Sequence, residues 1–303
     1  MNVFLTGSTG YVGGQILQDL LAQDHHVRCL VRAESRGKLQ ERPGVETVVG
    51  DIVEPKTLQG KLDGCDAAIH LVGIIREFPR EGITWERIHW QGARNVIDEA
   101  ERAGAKRFLL MSAMGVRADG VSQYQTTKYR AEEYLKQSSL EWTIFRPSLI
   151  FGERDQSVNT FAKIVKLAPF YPIFGRTGES RFQPVAVENV AEGFVKALNA
   201  SASIGKTYEV GGSGIYTFRE LIQIIGGVLG KRRVRTITIP MPLIMLQARL
   251  FQYVKLFGRP LLPFSVDQLK MLSEDNVGNS EPFFRELGIQ PIGFKEGIAR
   301  YMR

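Results

Sequence analysis

The sequence predicts an α/β fold: a doubly wound parallel sheet with helices on both faces, followed by a smaller C-terminal substrate or lid domain. Three observations predict it. The first half alternates short β-branched and apolar runs with stretches of helical periodicity. A turn carrying Gly7, Gly10 and Gly13 joins the first apolar run (Val3, Phe4, Leu5) to the first amphipathic stretch (Ile16, Leu17, Leu20, Leu21). The second half stays rich in apolar and aromatic residues but loses the regular alternation.

Strands are predicted at residues 3–6, 27–31, 47–50, 67–72, 108–112 and 143–146, where Val, Ile, Leu and Phe cluster. The helices between them start near Gly10, Thr57, Thr84 and Ser122. In the second half a helix is predicted over 159–167. Residues 184–190 read as a short strand and a helix cap, with the helix continuing to Leu198, and 208–212 read as another short strand. From Phe218 to Leu229 apolar residues recur at helical spacing behind Thr217, with Glu220 three residues on, the pattern of a capping box. Residues 240–258 predict a long amphipathic helix. A Rossmann-type nucleotide-binding domain over 1–150, with 184–200 returning to it, and a smaller substrate or lid domain over 151–303 follow from this layout.

The chain has 303 residues, 44% of them hydrophobic, enough for one large or two modest cores. Lys and Arg number 39 against 32 Asp and Glu, and the net charge of +7 suits anionic ligands such as nucleotides. The densest basic run, Lys231, Arg232, Arg233 and Arg235, lacks the interleaved aromatics that stack bases, so it reads as a solvated loop before a strand and no nucleic-acid partner is expected. Cys29 and Cys65 lie in apolar stretches without metal-ligand spacing, which predicts buried thiols in a reducing compartment and no metal site. Met1, Asn2 and Val3 lead directly into the first strand, which predicts no signal or transit peptide and a cytoplasmic location. The longest uncharged apolar run, 236–248, holds two prolines and is too short to span a bilayer.

The glycine turn has a specific chemistry. Gly7 permits the tight turn, Gly10 lets a pyrophosphate approach the backbone, and Gly13 lets the helix lie close on the strand. Thr9, Gly10, Tyr11, Val12 and Gly13 then present the positive end of the helix to phosphates. A second constellation is Tyr124 and Lys128, four residues apart and therefore on one face of a helix. A phenol has a pKa of about 10. A neighbouring ammonium and a positively charged nicotinamide both favour the phenolate, so the pair predicts a lowered Tyr124 pKa and proton exchange with a substrate hydroxyl or carbonyl. Lys128 can also hold the cofactor ribose hydroxyls.

Taken together, these residues resemble the atypical, extended type of short-chain dehydrogenase/reductase. Within it they are similar to the group containing an NADPH-binding accessory subunit of respiratory complex I and bacterial nucleoside-diphosphate-sugar epimerases. The resemblance runs through residues 4–13, Gly50-Asp51-Ile52, His70-Leu71-Val72-Gly73, Tyr124 with Lys128, Arg146-Pro147-Ser148, and 184–191. It implies that Asp51 and Ile52 contact adenine and that Leu71, Val72 and Gly73 border the adenosine ribose and phosphates. Pro147, Ser148 and Leu149 would face the nicotinamide carboxamide. It also implies a hydroxyl after the central strand; Ser112 is the candidate, with Ala113 where the catalytic hydroxyl belongs, and His89 stands where an Asn is usual. Two readings stay open. One is an oxidoreductase or epimerase using Tyr124, Lys128 and Ser112. The other is a non-catalytic NADPH-binding accessory, assembly or redox-sensing protein.

Arg32 ends the second strand where an acidic residue would bind a ribose 2′-hydroxyl, which favours NADP(H) over NAD(H), with Arg28, Arg36 and Lys38 nearby. The expected partner is a small molecule, a nucleotide sugar or a hydrophobic carbonyl or quinone. Its candidate lining is Ile74, Ile75, Phe151, Phe161, Phe170, Tyr171, Phe174 and Phe182, with Arg176 and Arg181 for a diphosphate; the plainer reading makes these aromatics the lid core. The apolar stretch 240–257 is expected to pack on the lid, pair with a second subunit or rest on a membrane, in that order. A homodimer, peripheral membrane attachment and association with a respiratory complex all remain compatible with the sequence.

Overall fold

A computed structural model describes residues 1–40, 42–251, 255–256, 259–260 and 266–302. Its centre is a sheet of seven parallel strands: β1 (Asn2–Thr6), β2 (His26–Val31), β3 (Val45–Val49), β4 (Ala67–His70), β5 (Arg107–Met111), β6 (Glu141–Pro147) and β7 (Lys206–Val210). Their order across the sheet is 7-6-5-4-1-2-3. Leu5 of β1 pairs with Cys29 on one side and Ile69 on the other, so the strand order reverses between β1 and β4. That switch point opens a crevice at the carboxyl ends of the strands, where open α/β sheets bind ligands.

Both faces of the sheet are covered. Helices α1 (Tyr11–Leu21) and α5 (Val187–Asn199) lie on one face, sharing a core with Val3, Leu5, Ile16, Leu20, Val190 and Phe194. Helices α2 (Gly92–Arg102) and α3 (Gln123–Lys136) cover the other, around Phe4, Val96, Phe108, Leu135 and Ile144. The strands are apolar on both sides because both are buried, as a parallel sheet requires. Ser122 and Gln125 form a reciprocal capping box that fixes the start of α3.

A second core lies beyond β6. Helices α4 (Ser157–Leu167) and α6 (Phe218–Val228) pack with the helix Phe294–Ala299, and the strand Tyr171–Phe174 pairs in parallel with Thr236–Ile239. Thr217 and Glu220 make the expected capping box at α6. The chain passes between the two cores repeatedly: α5 and β7, both beyond residue 150, belong to the sheet layer. Residues 274–279 strap the two together. Arg117 Nη2 lies 2.5 Å from Glu274 Oε1, Asp275 Oδ2 lies 2.6 Å from Arg181 Nη2, and Ser148 Oγ donates to Asn276 Oδ1 at 2.5 Å.

Three expectations change in detail. The helix near Thr57 is a single turn, Pro55–Leu58. The helix near Thr84 begins as a π-helical segment, Glu86–Gln91, before it becomes α2. The helix predicted over 240–258 is described as Met241–Phe251, and within its expected span Lys255–Leu256 is instead a short strand paired antiparallel with Arg259–Pro260; residues 252–254 and 257–258 lie outside the described residues.

Candidate nucleotide and catalytic site

The glycine turn has the geometry its spacing predicts. Gly7 has φ +80, a left-handed conformation that an L side chain resists. A Cβ on Gly13 would lie 2.1 Å from the Gly7 carbonyl oxygen, so only glycine lets α1 sit this close to the turn. Gly10 is the N-cap, no side chain caps the helix, and its first turn holds no acidic residue. The leading N–H groups and the positive helix end therefore face the crevice, an arrangement that favours an anion. Thr9 and Gly10 are exposed there, whereas Val12 packs into the core and offers only its backbone. The Tyr11 ring also packs on that core, and its hydroxyl abuts Gly152, where a Cβ would come within 2.2 Å of it.

The turn leads on to the other candidates. A Cβ on Gly7 would lie 3.3 Å from Leu71 Cβ and 3.5 Å from the Val72 nitrogen. Gly73 follows, and a Cβ there would meet Lys128 Nζ at 3.4 Å and His89 Nε2 at 3.5 Å. A continuous wall thus runs from the phosphate turn to the Tyr124/Lys128 helix. Farther out, Asp51 accepts the Val53 N–H at 3.1 Å, and Ile52 turns its side chain into the core while its carbonyl accepts from Asn95 Nδ2 at 2.8 Å. On the far side the Met114 N–H donates to the Pro147 carbonyl at 2.9 Å, Ser148 is held by Asn276, and Leu149 packs on the lid core.

Arg32 is exposed, as expected, but it is not alone. Glu34 lies 3.1 Å from its Nε, a carboxylate supplied by the 3₁₀ turn after β2 rather than by the strand end. Arg36 and Lys38 are exposed on the same turn and have no ion pair among the described residues.

Lys128 is buried. Its Nζ donates to the Met111 carbonyl at 3.1 Å and stands 5.7 Å from the centre of the Tyr124 ring. Burial pushes its pKa down to about 8, opposed by the charge of Glu132. The Tyr124 phenol is pushed up to about 12 by burial, not down. The expected lowering fails here because desolvation of a phenolate outweighs an ammonium that is itself weakened and turned to a carbonyl. Tyr124 is thereby held as a proton donor.

His89, carried by the π-helical segment, is buried with its ring edge-on to Tyr124, centroids 5.1 Å apart. Its Nε2 accepts the Ile74 N–H at 3.0 Å, and burial together with Lys128 holds it well below the usual imidazole range. The ring is neutral, so its proton sits on Nδ1, 3.3 Å from Thr127 Oγ1. His89 therefore props the Gly73–Ile74 loop against α3 and has no proton to give on its Nε2 side. The Ser112 hydroxyl is directed away from the crevice to Glu132, a fully buried carboxylate that also receives Arg146 Nε at 2.9 Å and Nη2 at 2.5 Å. Sequence spacing held no sign of this Ser112–Glu132–Arg146 network. The substrate list also changes: Phe151, Phe161, Tyr171 and Phe182 belong to the lid core, so the plainer reading of those aromatics holds.

His70 ends β4 fully buried, hydrogen-bonded through Nδ1 to Thr6 Oγ1 at 2.8 Å, and desolvation pushes its pKa down to about 3. Above the unfolded value of about 6.5, this neutral imidazole costs nothing to protonation linkage. As pH falls from there toward 3, the unfolded chain binds a proton that the folded chain refuses, so stability is lost. At pH 5 the loss from His70 alone is about 2 kcal/mol, with His89 acting in the same direction. Urea unfolding at pH 7.5 and pH 5 measures it, and His70→Asn should flatten the pH slope; an unchanged slope would remove His70 as its source.

Residues 7–200 match the family described as NAD(P)H-binding. The chain belongs to that family. Over 95% of its length it is 28% identical to a mitochondrial protein of Arabidopsis thaliana, NADH dehydrogenase [ubiquinone] 1 alpha subcomplex subunit 9, covering 74% of that protein. It is also 28% identical to the ceramide reductase of Caulobacter vibrioides, over 79% of this chain and 74% of that one. Among solved structures, the UDP-glucose 4-epimerase of Thermus thermophilus in complex with NAD superposes with a TM-score of 0.74 at 20% identity, covering 100% of this chain and 99% of that one. This NAD(P)H-binding chain thus has the Rossmann fold of the epimerases and dehydratases. Its own residues fit the cofactor: the cradle that a Cβ on Gly13 would fill, and the helix end that no side chain caps, match a pyrophosphate.

Proposed function

We propose that the chain is an NAD(P)H-dependent oxidoreductase that acts on a carbonyl or hydroxyl carbon, with Tyr124 as proton donor and Lys128 as its electrostatic partner. The observation that carries this reading is the continuous wall from the Gly7 turn through Gly73 to Lys128 and Tyr124. When bound, the nicotinamide supplies or accepts the hydride. The chain's part is the proton. A phenol raised to about 12 keeps its proton at neutral pH and gives it to an oxygen that gains charge, which favours carbonyl reduction. Lys128 is charged below about pH 8 and stabilises the phenolate left behind.

Gly7, Gly10 and Gly13 would hold the pyrophosphate, with Asp51, Ile52, Leu71 and Val72 toward the adenosine and Pro147, Ser148 and Leu149 toward the nicotinamide. NADP(H) is favoured over NAD(H) because three exposed cations, Arg32, Arg36 and Lys38, share the turn with one carboxylate, Glu34. The substrate is a nucleotide sugar or a hydrophobic carbonyl, as the named functions of the epimerase and ceramide reductase relatives illustrate.

Calorimetric titration with NADPH and NADH tests the cofactor, and Tyr124→Phe tests the chemistry. NADPH should bind the more tightly, and Tyr124→Phe should leave that affinity unchanged. The same variant should lower carbonyl reduction about a hundredfold to ten-thousandfold. Native turnover in Tyr124→Phe would sink the reading. A second reading, a non-catalytic NADPH-binding accessory subunit, is favoured by one feature: the Ser112 hydroxyl donates its hydrogen bond to Glu132 and Ala113 has no hydroxyl.

A further inference from the structure

The positive charge of this chain is concentrated in one corner. Residues 157–178 and 221–246 together carry seven Lys or Arg and no Asp or Glu, and over the rest of the chain bases and acids are equal in number. The fold brings these two stretches together. Tyr171–Phe174 pairs with Thr236–Ile239, α4 packs on α6, and Lys231 Nζ donates to the Val165 carbonyl. Lys163, Lys166, Arg232, Arg233 and Arg235 are exposed there, and none has an ion pair among the described residues.

The same corner exposes large apolar side chains. Leu167, Phe170, Ile237, Leu243 and Leu246 are between 48% and 84% exposed. Leu243 and Leu246 share one face of the helix Met241–Phe251, while Ile244 on its other side packs with Phe174, Ile239 and Leu269. Phe170 immediately precedes Tyr171, whose N–H donates to the Arg235 carbonyl at 2.8 Å, so Phe170 and Arg235 sit at the same end of the paired strands.

We propose that this corner of the lid domain rests on an anionic lipid surface, with the aliphatic side chains entering the headgroup boundary and the cations on lipid phosphates. Charge complementarity carries the assignment. A lipid surface accepts aliphatics and unpaired cations in any arrangement and adds electrostatic attraction to apolar burial. A single-stranded nucleic acid would need aromatic faces for its bases, a duplex backbone would leave the aliphatic side chains in water, and four of these five apolar residues are Leu or Ile. The attachment is peripheral, since among the described residues no helix is long and apolar enough to cross a membrane.

Flotation of the full chain with phosphatidylcholine vesicles, with and without phosphatidylglycerol and at low and high salt, tests the proposal. Binding is expected only with phosphatidylglycerol and should weaken with salt. Each neutralised cation should weaken it about fivefold, so Arg232→Gln with Arg233→Gln reads as roughly twenty-five-fold. Leu243→Ser with Leu246→Ser should weaken it by at least about tenfold. Both double variants should keep native thermal unfolding and native NADPH binding. Failure to float with anionic vesicles, binding that neither variant alters, or salt-dependent binding of an oligonucleotide in place of vesicles would each overturn the proposal. None of these outcomes bears on the catalytic reading of Tyr124.

Discussion

Replacing Gly13 by alanine is expected to abolish NADPH binding at concentrations that saturate the native chain and to cost about 2 kcal/mol of stability or more. The new Cβ would sit 2.1 Å from the Gly7 carbonyl oxygen, 2.7 Å from the carbonyl carbon and 3.0 Å from Ser8 Cα. All three are backbone atoms of the turn, and none can swing aside as a side chain can. Either α1 lifts off β1 or the turn opens, and both move the N–H groups that would meet the pyrophosphate. Gly14 is the control. A Cβ there meets the Arg154 guanidinium at 2.9 Å, the free end of a flexible side chain. Gly14→Ala should therefore bind NADPH normally and gain up to about 1 kcal/mol of helix propensity. Calorimetric titration of both variants, with urea unfolding alongside, separates a specific cradle from a helix that merely tolerates no added bulk. Native binding by Gly13→Ala would remove the turn as the phosphate site.

Removing Glu132 should destabilise the chain more than any other single change near the site. The carboxylate is fully buried, receives Arg146 through two nitrogens and accepts the Ser112 hydroxyl. Glu132→Ala leaves the Arg146 guanidinium mostly buried without its counter-charge and the serine hydroxyl without its acceptor. Breaking a buried pair in this way costs about 3 to 5 kcal/mol, or on the order of 10 °C in Tm for a chain of this size. The pair need not be stabilising in itself. Replacing Ser112, Glu132 and Arg146 together by Ala, Leu and Met should recover most of the loss, because no unpaired charge remains. Thermal unfolding of the single and triple variants decides it: a triple variant as unstable as Glu132→Ala would show that the network itself carries the stability. Glu132 also holds up the Lys128 pKa, so the single variant should move Lys128 further down from about 8 and pull the alkaline limit of any Lys128-dependent activity with it.

The central sheet was legible in the sequence because its strands are nearly continuous apolar runs, and such runs arise when a parallel strand is buried on both faces. Gly7, Gly10 and Gly13 were legible for the same kind of reason: their spacing answers a local requirement of turn and helix. What escaped depends on distance. The pairing of Tyr171–Phe174 with Thr236–Ile239 joins segments that no periodicity links. The helices Glu281–Leu287 and Phe294–Ala299 are too short to show a repeat. Ser112, Glu132 and Arg146 come from β5's end, α3 and β6, so their meeting is a property of the fold. The direction of the Tyr124 shift escaped because residue identities show a neighbouring cation but not how much water has been removed.

With dinucleotide bound there, the uncapped start of α1 would tie folding to the cell's supply of that ligand. A helix whose first donors have no side-chain acceptor leaves that work to whatever anion settles there. A ligand that binds only the native chain stabilises it by mass action, by about 2.7 kcal/mol when present at a hundred times its Kd. For a domain of ordinary marginal stability that increment is a large share of the whole. The population of folded chains, and hence their lifetime against proteolysis, would then rise and fall with nucleotide concentration before any reaction is considered.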